Sequence, residues 1–171
     1  SYSDVFTHDE KLSWEVYVPH NYQNDIPSGL MVYISPTRTG EIPENWISLM
    51  EKHNLIWIAA NNSGNNINSR KRMLLAILAT SVIDKKYSIN LNRVYVSGLS
   101  GGGRMASIAA TFFPDLFKGA IYNCGVNFWK NISDEKIDKI KKNRFVFITG
   151  RKDFNLEDTK RVFRKYKKAG V

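Results

Sequence analysis

From Leu30 onward, short apolar runs alternate with stretches of helical periodicity, and this alternation leaves few folds open. The runs are LMVYI (30–34), LIWIAA (55–60), RVYVS (93–97), KGAIY (118–122) and FVFIT (145–149). Continuous apolar runs of this length read as strands covered on both faces. Between them the spacing predicts helices over about 45–53, 69–87, 101–113, 134–142 and 156–169. The preceding segment Ser13–Val18 alternates, with Trp14, Val16 and Val18 on one face, and Pro19 ends it as a half-buried strand. Residues 1–10 show no period. Strand–helix alternation without a break in composition or an internal repeat predicts one α/β domain. Its sheet is mostly parallel with right-handed crossovers, and ligands belong at the carboxyl ends of the strands.

Composition narrows the function classes. At 43% hydrophobic and 24% charged residues, a chain of 171 can bury a core, and disorder or a fibrous repeat is excluded. No apolar run approaches the length of a membrane span, and no basic–apolar–small leader stands at the N-terminus. The single cysteine, Cys124, cannot close an intrachain disulfide and reads as a small buried apolar residue. No His/Cys/carboxylate cluster has metal-ligand spacing. The net charge of +9 concentrates in KIDKIKKNR and KRVFRKYKK. There Ile137, Ile140, Val162, Phe163 and Tyr166 keep helical spacing while the lysines fill the solvated face. No nucleic-acid module is present, so neither nucleic acid nor a membrane is expected as a partner.

The chemistry-bearing segment is VYVSGLSGGGRMA, in which Gly98-Leu99-Ser100-Gly101-Gly102 fits G-x-S-x-G. An apolar strand runs into it and a small-residue helix runs out. A serine on such a turn has strained backbone angles, and glycines at 98 and 102 remove side chains that would collide across it. The turn lifts the hydroxyl above the sheet at a helix N-terminus, where the Gly101 amide can donate to a developing oxyanion. Phe128 and Trp129 follow the fourth of these strands, on the rim where aromatics can stack on an aryl acyl group or a sugar, or simply pack the loop.

With the WEVYVP and LMVYISP strands, the GLSGGGRMA turn and the ITGRKDFN segment, the chain resembles the α/β-hydrolase superfamily. More narrowly it resembles the esterases that include polyhydroxybutyrate depolymerases and feruloyl esterases. The resemblance implies a three-layer α/β-hydrolase sandwich over residues 1–171. It also implies a serine carboxylesterase that uses an acyl-enzyme on Ser100 and no cofactor, acting on small-molecule or polysaccharide-linked esters. It places the orienting acid at Asp153, 53 residues after Ser100, with Asp115, Asp134 and Asp138 as alternatives; otherwise Asp153 reads as a loop aspartate before a helix that Asn155 caps. The lipase-like His-Gly pair after the LMVYI strand is replaced by Ser35-Pro36-Thr37-Arg38. Because Pro36 has no amide hydrogen, Thr37 or Arg38 is expected to supply the second oxyanion donor. The chain order serine–acid–histidine is not completed, since His8, His20 and His53 all precede Ser100. The resemblance implies one more strand beginning near Val171 and a histidine on the loop after it, which leaves FVFIT at a sheet edge. Esterases of this group are exported, so a secreted or periplasmic location is expected. Two other classes stand beside the hydrolase: a non-catalytic binding protein of the same fold that lacks the base, and a basic binder of polyanions.

Overall fold

The computed structural model describes residues 5–171. Six strands and five helices alternate: β1 (Trp14–Tyr17), β2 (Ser28–Ile34), α1 (Glu44–His53), β3 (Leu55–Ala60), α2 (Ser69–Asp84), β4 (Ile89–Leu99), α3 (Gly101–Phe112), β5 (Gly119–Asn123), α4 (Asp134–Lys141), β6 (Arg144–Ile148) and α5 (Leu156–Lys168). They form one sheet in the order β1-β3-β2-β4-β5-β6, with β1 antiparallel to β3 and the other neighbours parallel.

Alternation along the strands divides the core in two. Leu30, Val32 and Ile34 of β2 face α2, α3 and α5, joining Ala79, Ile83, Ala106, Ala109, Val162 and Tyr166. Met31 and Tyr33 face the other way, onto Met50 of α1 and Trp57 of β3. These are the three layers expected from the apolar runs. The alanines and glycines of α3 let that helix lie close on the central strands, and Ala106, Ala109 and Ala110 are fully buried. Trp57 anchors the α1 side. Its ring stacks on Tyr33 at 4.5 Å between centroids, meets Trp46 edge-on at 5.4 Å, and its indole N–H donates to the Gly40 carbonyl at 3.2 Å.

The parallel register fixes the height of the loops. Ile34 lies opposite Gly98, Leu99 opposite Asn123, and Asn123 opposite Ile148. The residues that follow (Ser35, Ser100, Cys124 and Thr149) therefore emerge side by side at one edge of the sheet, as the carboxyl-end rule requires.

Three details differ from the sequence reading. Strand β1 buries no single face: Val16 is 40% exposed, while Tyr17 packs toward the α1 side. At the sheet margin both faces of a four-residue strand can be partly covered, Trp14 by α2 (indole N–H to Leu75 carbonyl, 3.3 Å) and Tyr17 by Glu51. Strand β4 begins at Ile89 rather than Arg93, because Ser28 of β2 pairs with Ile89 through an irregularity in register. Backbone pairing extends the strand where polar Asn90 and Asn92 interrupt the apolar run. Asn155 precedes α5 but makes no side-chain cap; its amide is used elsewhere. At the opposite margin, β6 has Val146 and Ile148 about half exposed, a sheet edge at FVFIT as expected.

Truncating Trp57 to alanine removes a fully buried ring and its hydrogen bond, and should destabilise the fold by about 3–5 kcal/mol. Phe154→Ala, at a ring 89% exposed, should stay within about 0.5 kcal/mol. Denaturant unfolding of the two variants checks the pair; equal losses would place the anchor elsewhere.

Candidate active site

Ser100 sits at the apex of the β4–α3 turn with φ +55° and ψ −118°, a backbone conformation that non-glycine residues adopt only when the surroundings enforce it. The enforcing contacts are visible. The Ser100 amide donates to the Asn123 carbonyl at 2.8 Å, and its own carbonyl accepts from Arg104 N at 3.1 Å. A β-carbon at position 102 would overlap the Ile34 carbonyl oxygen, and one at 98 would overlap Gly102. The two glycines singled out in the sequence are thus the ones that let α3 begin so close to β2.

The loop after β2 is held from two sides. Buried Arg72 of α2 donates to the Ser35 carbonyl at 2.9 Å, its guanidinium pKa drawn down by desolvation. The loop after β3 donates from Asn65 N to the Pro36 carbonyl (3.0 Å) and from Asn62 N to the Arg38 carbonyl (2.7 Å). Thr37 and Arg38 are exposed at the rim, but the Thr37 amide is engaged by Ser35 Oγ at 3.1 Å.

Asp153 lies on the loop between β6 and α5. Asn155 N donates to its Oδ1 at 2.6 Å, and the Cys124 thiol faces the same carboxylate. The hydrogen bond from Cys124, followed by that from Asn155, holds the Asp153 carboxyl below the usual range. The same contact, with burial second, pushes the Cys124 thiol up. Buried Asn155 ties this loop to its neighbours: Nδ2 donates to the Cys124 carbonyl (2.8 Å) and Oδ1 accepts from Arg104 Nη2 (2.7 Å). Arg104 reaches on to Asn127 Oδ1 at 3.2 Å. One arginine in the first turn of α3 therefore joins the loops after β5 and β6. Neither Arg72 nor Arg104 carries a sequence signal for its role, and Asn155 carries only that of a helix cap, because each acts across the fold.

Phe128 and Trp129 stack on one another (4.3 Å) and Trp129 meets Tyr166 of α5 edge-on (4.5 Å), with Lys165 Nζ 4.9 Å above the Phe128 ring. They line a cavity of about 700 Å³ that runs between α3 and α5 and includes Arg104, Lys130, Arg161 and Lys165.

Two of the three histidines stand apart from the serine, while His8 lies on a segment whose Glu10 pairs with Lys71 in the first turn of α2. His53 ends α1, where its carbonyl accepts from Arg93 at 2.6 Å, at the amino ends of the parallel strands. His20 pairs there with Glu51 at 2.6 Å. Tyr17 and then His20 bind that carboxylate and hold its pKa at about 2. A strand length, about 20 Å, separates this end from Ser100. The side chain of His8 is fully exposed beside Asp9. Asp115 pairs with Lys139, and Asp138 with Lys141, at exposed positions. Among the described residues no group of three metal-ligating side chains occurs, and no helix is long and apolar enough to cross a membrane.

The contact between Cys124 and Asp153 can be read directly. Raising a thiol pKa lowers the thiolate fraction at a given pH, so alkylation by iodoacetamide should be slow near pH 8 and rise only above the ordinary thiol range. Asp153→Asn should accelerate it; an unchanged rate would show that thiol and carboxylate do not interact.

Residues 75–153 match the model of the prolyl oligopeptidase family. Over 94 residues the chain is 32% identical to a poly(3-hydroxybutyrate) depolymerase of Ralstonia pickettii, covering 55% of this chain and 17% of that protein. Over 133 residues it is 29% identical to a protein named probable acetylxylan esterase A of Aspergillus clavatus, covering 65% of this chain and 41% of that one. The chain thus spans less than half the length of these relatives. Among solved structures, a ferulic acid esterase superposes with a TM-score of 0.73 at 13% identity, covering 95% of this chain and 82% of the other. The chain has the α/β-hydrolase fold, shared with a ferulic acid esterase, and in sequence it is similar to a poly(3-hydroxybutyrate) depolymerase and an acetylxylan esterase.

Proposed function

We propose that the protein is a carboxylic ester hydrolase in which the β4–α3 turn is a nucleophile elbow and Ser100 the nucleophile. The observation that carries this reading is the strained backbone of Ser100 at the head of α3, on the sheet edge where the loops after β2, β5 and β6 converge. Such strain at a serine has no packing purpose that an unstrained glycine would not serve better. Likeness to depolymerase and esterase sequences supports the same reaction class.

The chemistry is acyl transfer in two halves. Ser100 Oγ adds to the ester carbonyl while its proton passes to an imidazole base, which the superfamily's chain order sets after Asp153 and which is neither His20 nor His53 at the far end of the strands. The carbonyl oxygen becomes an oxyanion facing the Gly101 amide, with Thr37 or Arg38 beside it. Collapse breaks the bond to the alcohol oxygen, which takes the proton, and leaves an acyl-enzyme; water repeats the sequence and releases the carboxylic acid. Asp153 is the orienting acid. Its carboxyl, held ionised by its hydrogen bonds, suits an acceptor for an imidazole N–H. No cofactor enters this scheme. Substrates are small or polysaccharide-linked esters; Phe128 and Trp129 line the cleft between α3 and α5, whose lining includes Arg104 but neither Ser100 nor Asp153.

A fluorophosphonate probe applied to the complete protein, one that carries the histidine expected after Asp153, should label Ser100, and Ser100→Ala should abolish both labelling and hydrolysis of a short aryl ester. Turnover that survives this change removes the assignment. Asp153→Asn should keep the fold and lower kcat by about 10⁴, because the base would be held in the wrong tautomer. A loss smaller than tenfold would pass the role of acid to another carboxylate.

A further inference from the structure

The G-x-S-x-G pattern requires glycine at 98 and 102, where neighbouring backbone presses in, but leaves the residue after the serine open. In this chain that residue is also glycine, and the space it vacates is filled. A β-carbon at position 101 would overlap Oδ1 of Asn65 and lie 2.7 Å from its Cγ and 3.1 Å from its Nδ2. The Asn65 carboxamide therefore rests against the first residue of α3, beside the amide that faces the oxyanion in the scheme above.

Its position is built into the loop. Asn65 N donates to the Pro36 carbonyl at 3.0 Å, Ile67 N closes a turn on the Gly64 carbonyl at 3.0 Å, and buried Ser63 donates to the Ala60 carbonyl at 2.9 Å. Gly64 is buried and backs directly onto Thr37, whose carbonyl carbon would lie 2.9 Å from a β-carbon at that position. The loop after β3 is thus seated on the loop after β2, with one polar side chain reaching the serine turn. In the loop after β2, Pro36 has no N–H and Thr37 spends its amide on Ser35 Oγ, which leaves the Arg38 amide as that loop's remaining candidate donor.

We propose that Asn65 is a catalytic residue: its Nδ2 donates the second hydrogen bond, with the Gly101 amide, to the oxyanion formed when Ser100 adds to an ester carbonyl. This rests on the hydrolase reading of Ser100. A carboxamide fixed where negative charge develops stabilises the transition state more than the ground state, because the ester carbonyl carries only a partial charge before the attack. The signature is a loss in kcat rather than in KM.

The test is steady-state hydrolysis of an aryl ester by the complete protein, one that carries the histidine expected after Asp153, and by its Asn65→Ala, Asn65→Asp and Ser100→Ala variants. Removing one such donor should lower kcat by about 10²–10³ with KM within about threefold. Melting temperature should not move, since the side chain is exposed. Asn65→Asp keeps the shape but brings a negative charge and no N–H, so it should lose at least as much as Asn65→Ala. A packing role would leave Asn65→Asp near the parent, and that outcome overturns the proposal. So does a kcat within about threefold of the parent in both variants, or a loss confined to KM. Ser100→Ala separates the two readings. Turnover that survives it removes the hydrolase reading and this donor with it, whereas Ser100-dependent turnover indifferent to Asn65 removes the donor alone.

Discussion

The contact between the start of α3 and the end of β2 is the constraint on which the rest of the site depends. Gly102 lies against the Ile34 carbonyl so closely that no side chain fits between them, and Gly98 meets Gly102 across the turn. That approach forces Ser100 into a left-handed backbone conformation and makes it the first projecting side chain above the sheet. It also brings the loops after β2 and β5 against the serine, since Ser100 N is bonded to the Asn123 carbonyl and its peptide abuts Gly125. The stability that enforces the strain comes from elsewhere. It is the burial of Leu30, Val32 and Ile34 under small-residue α3, and of Trp57 and Tyr33 under α1.

Two polar ties carry that rigidity outward. Arg72 crosses from α2 to the Ser35 carbonyl, and Arg104 crosses from α3 to Asn127 and Asn155. Arg104 places its guanidinium where two loop carboxamides end, which suits its fixed fork of donors better than a lysine would, while Arg72 makes one bond. Through Asn155 the loop bearing Asp153 is referenced to the same helix that positions the serine. Ser100 and Asp153, distant in the chain, thus share one rigid frame. The basic faces of α4 and α5 play no part in this; their lysines pair with Glu135, Asp138 and Glu157, and Arg161 with Asp158, at exposed positions, where such pairs contribute little.

The sequence by itself determined the layering, the element order and the serine turn. Leu30–Ile34 and Leu55–Ala60 read as doubly covered strands because every residue in them is buried, and a period that short and that apolar has no other stable home. Gly98 and Gly102 were legible because the steric demand they meet lies within five residues of chain. Val16 was not, because the cover over an edge strand is decided by which helices reach it, and α2 and the end of α1 each claim one side. Asn155 reads as a helix cap from its position before α5, yet spends its amide on Cys124 and Arg104. Only the folded chain brings those partners within reach. The same holds for Asn65: nothing in NNSGNN distinguishes one asparagine from the next until the loop is laid on Pro36 and Thr37 and one carboxamide fills the gap at Gly101. Local sterics and periodicity are written along the chain. Hydrogen bonds between loops that meet only at a sheet edge are decided by the tertiary structure, because their geometry depends on strand register and helix approach that no short segment encodes.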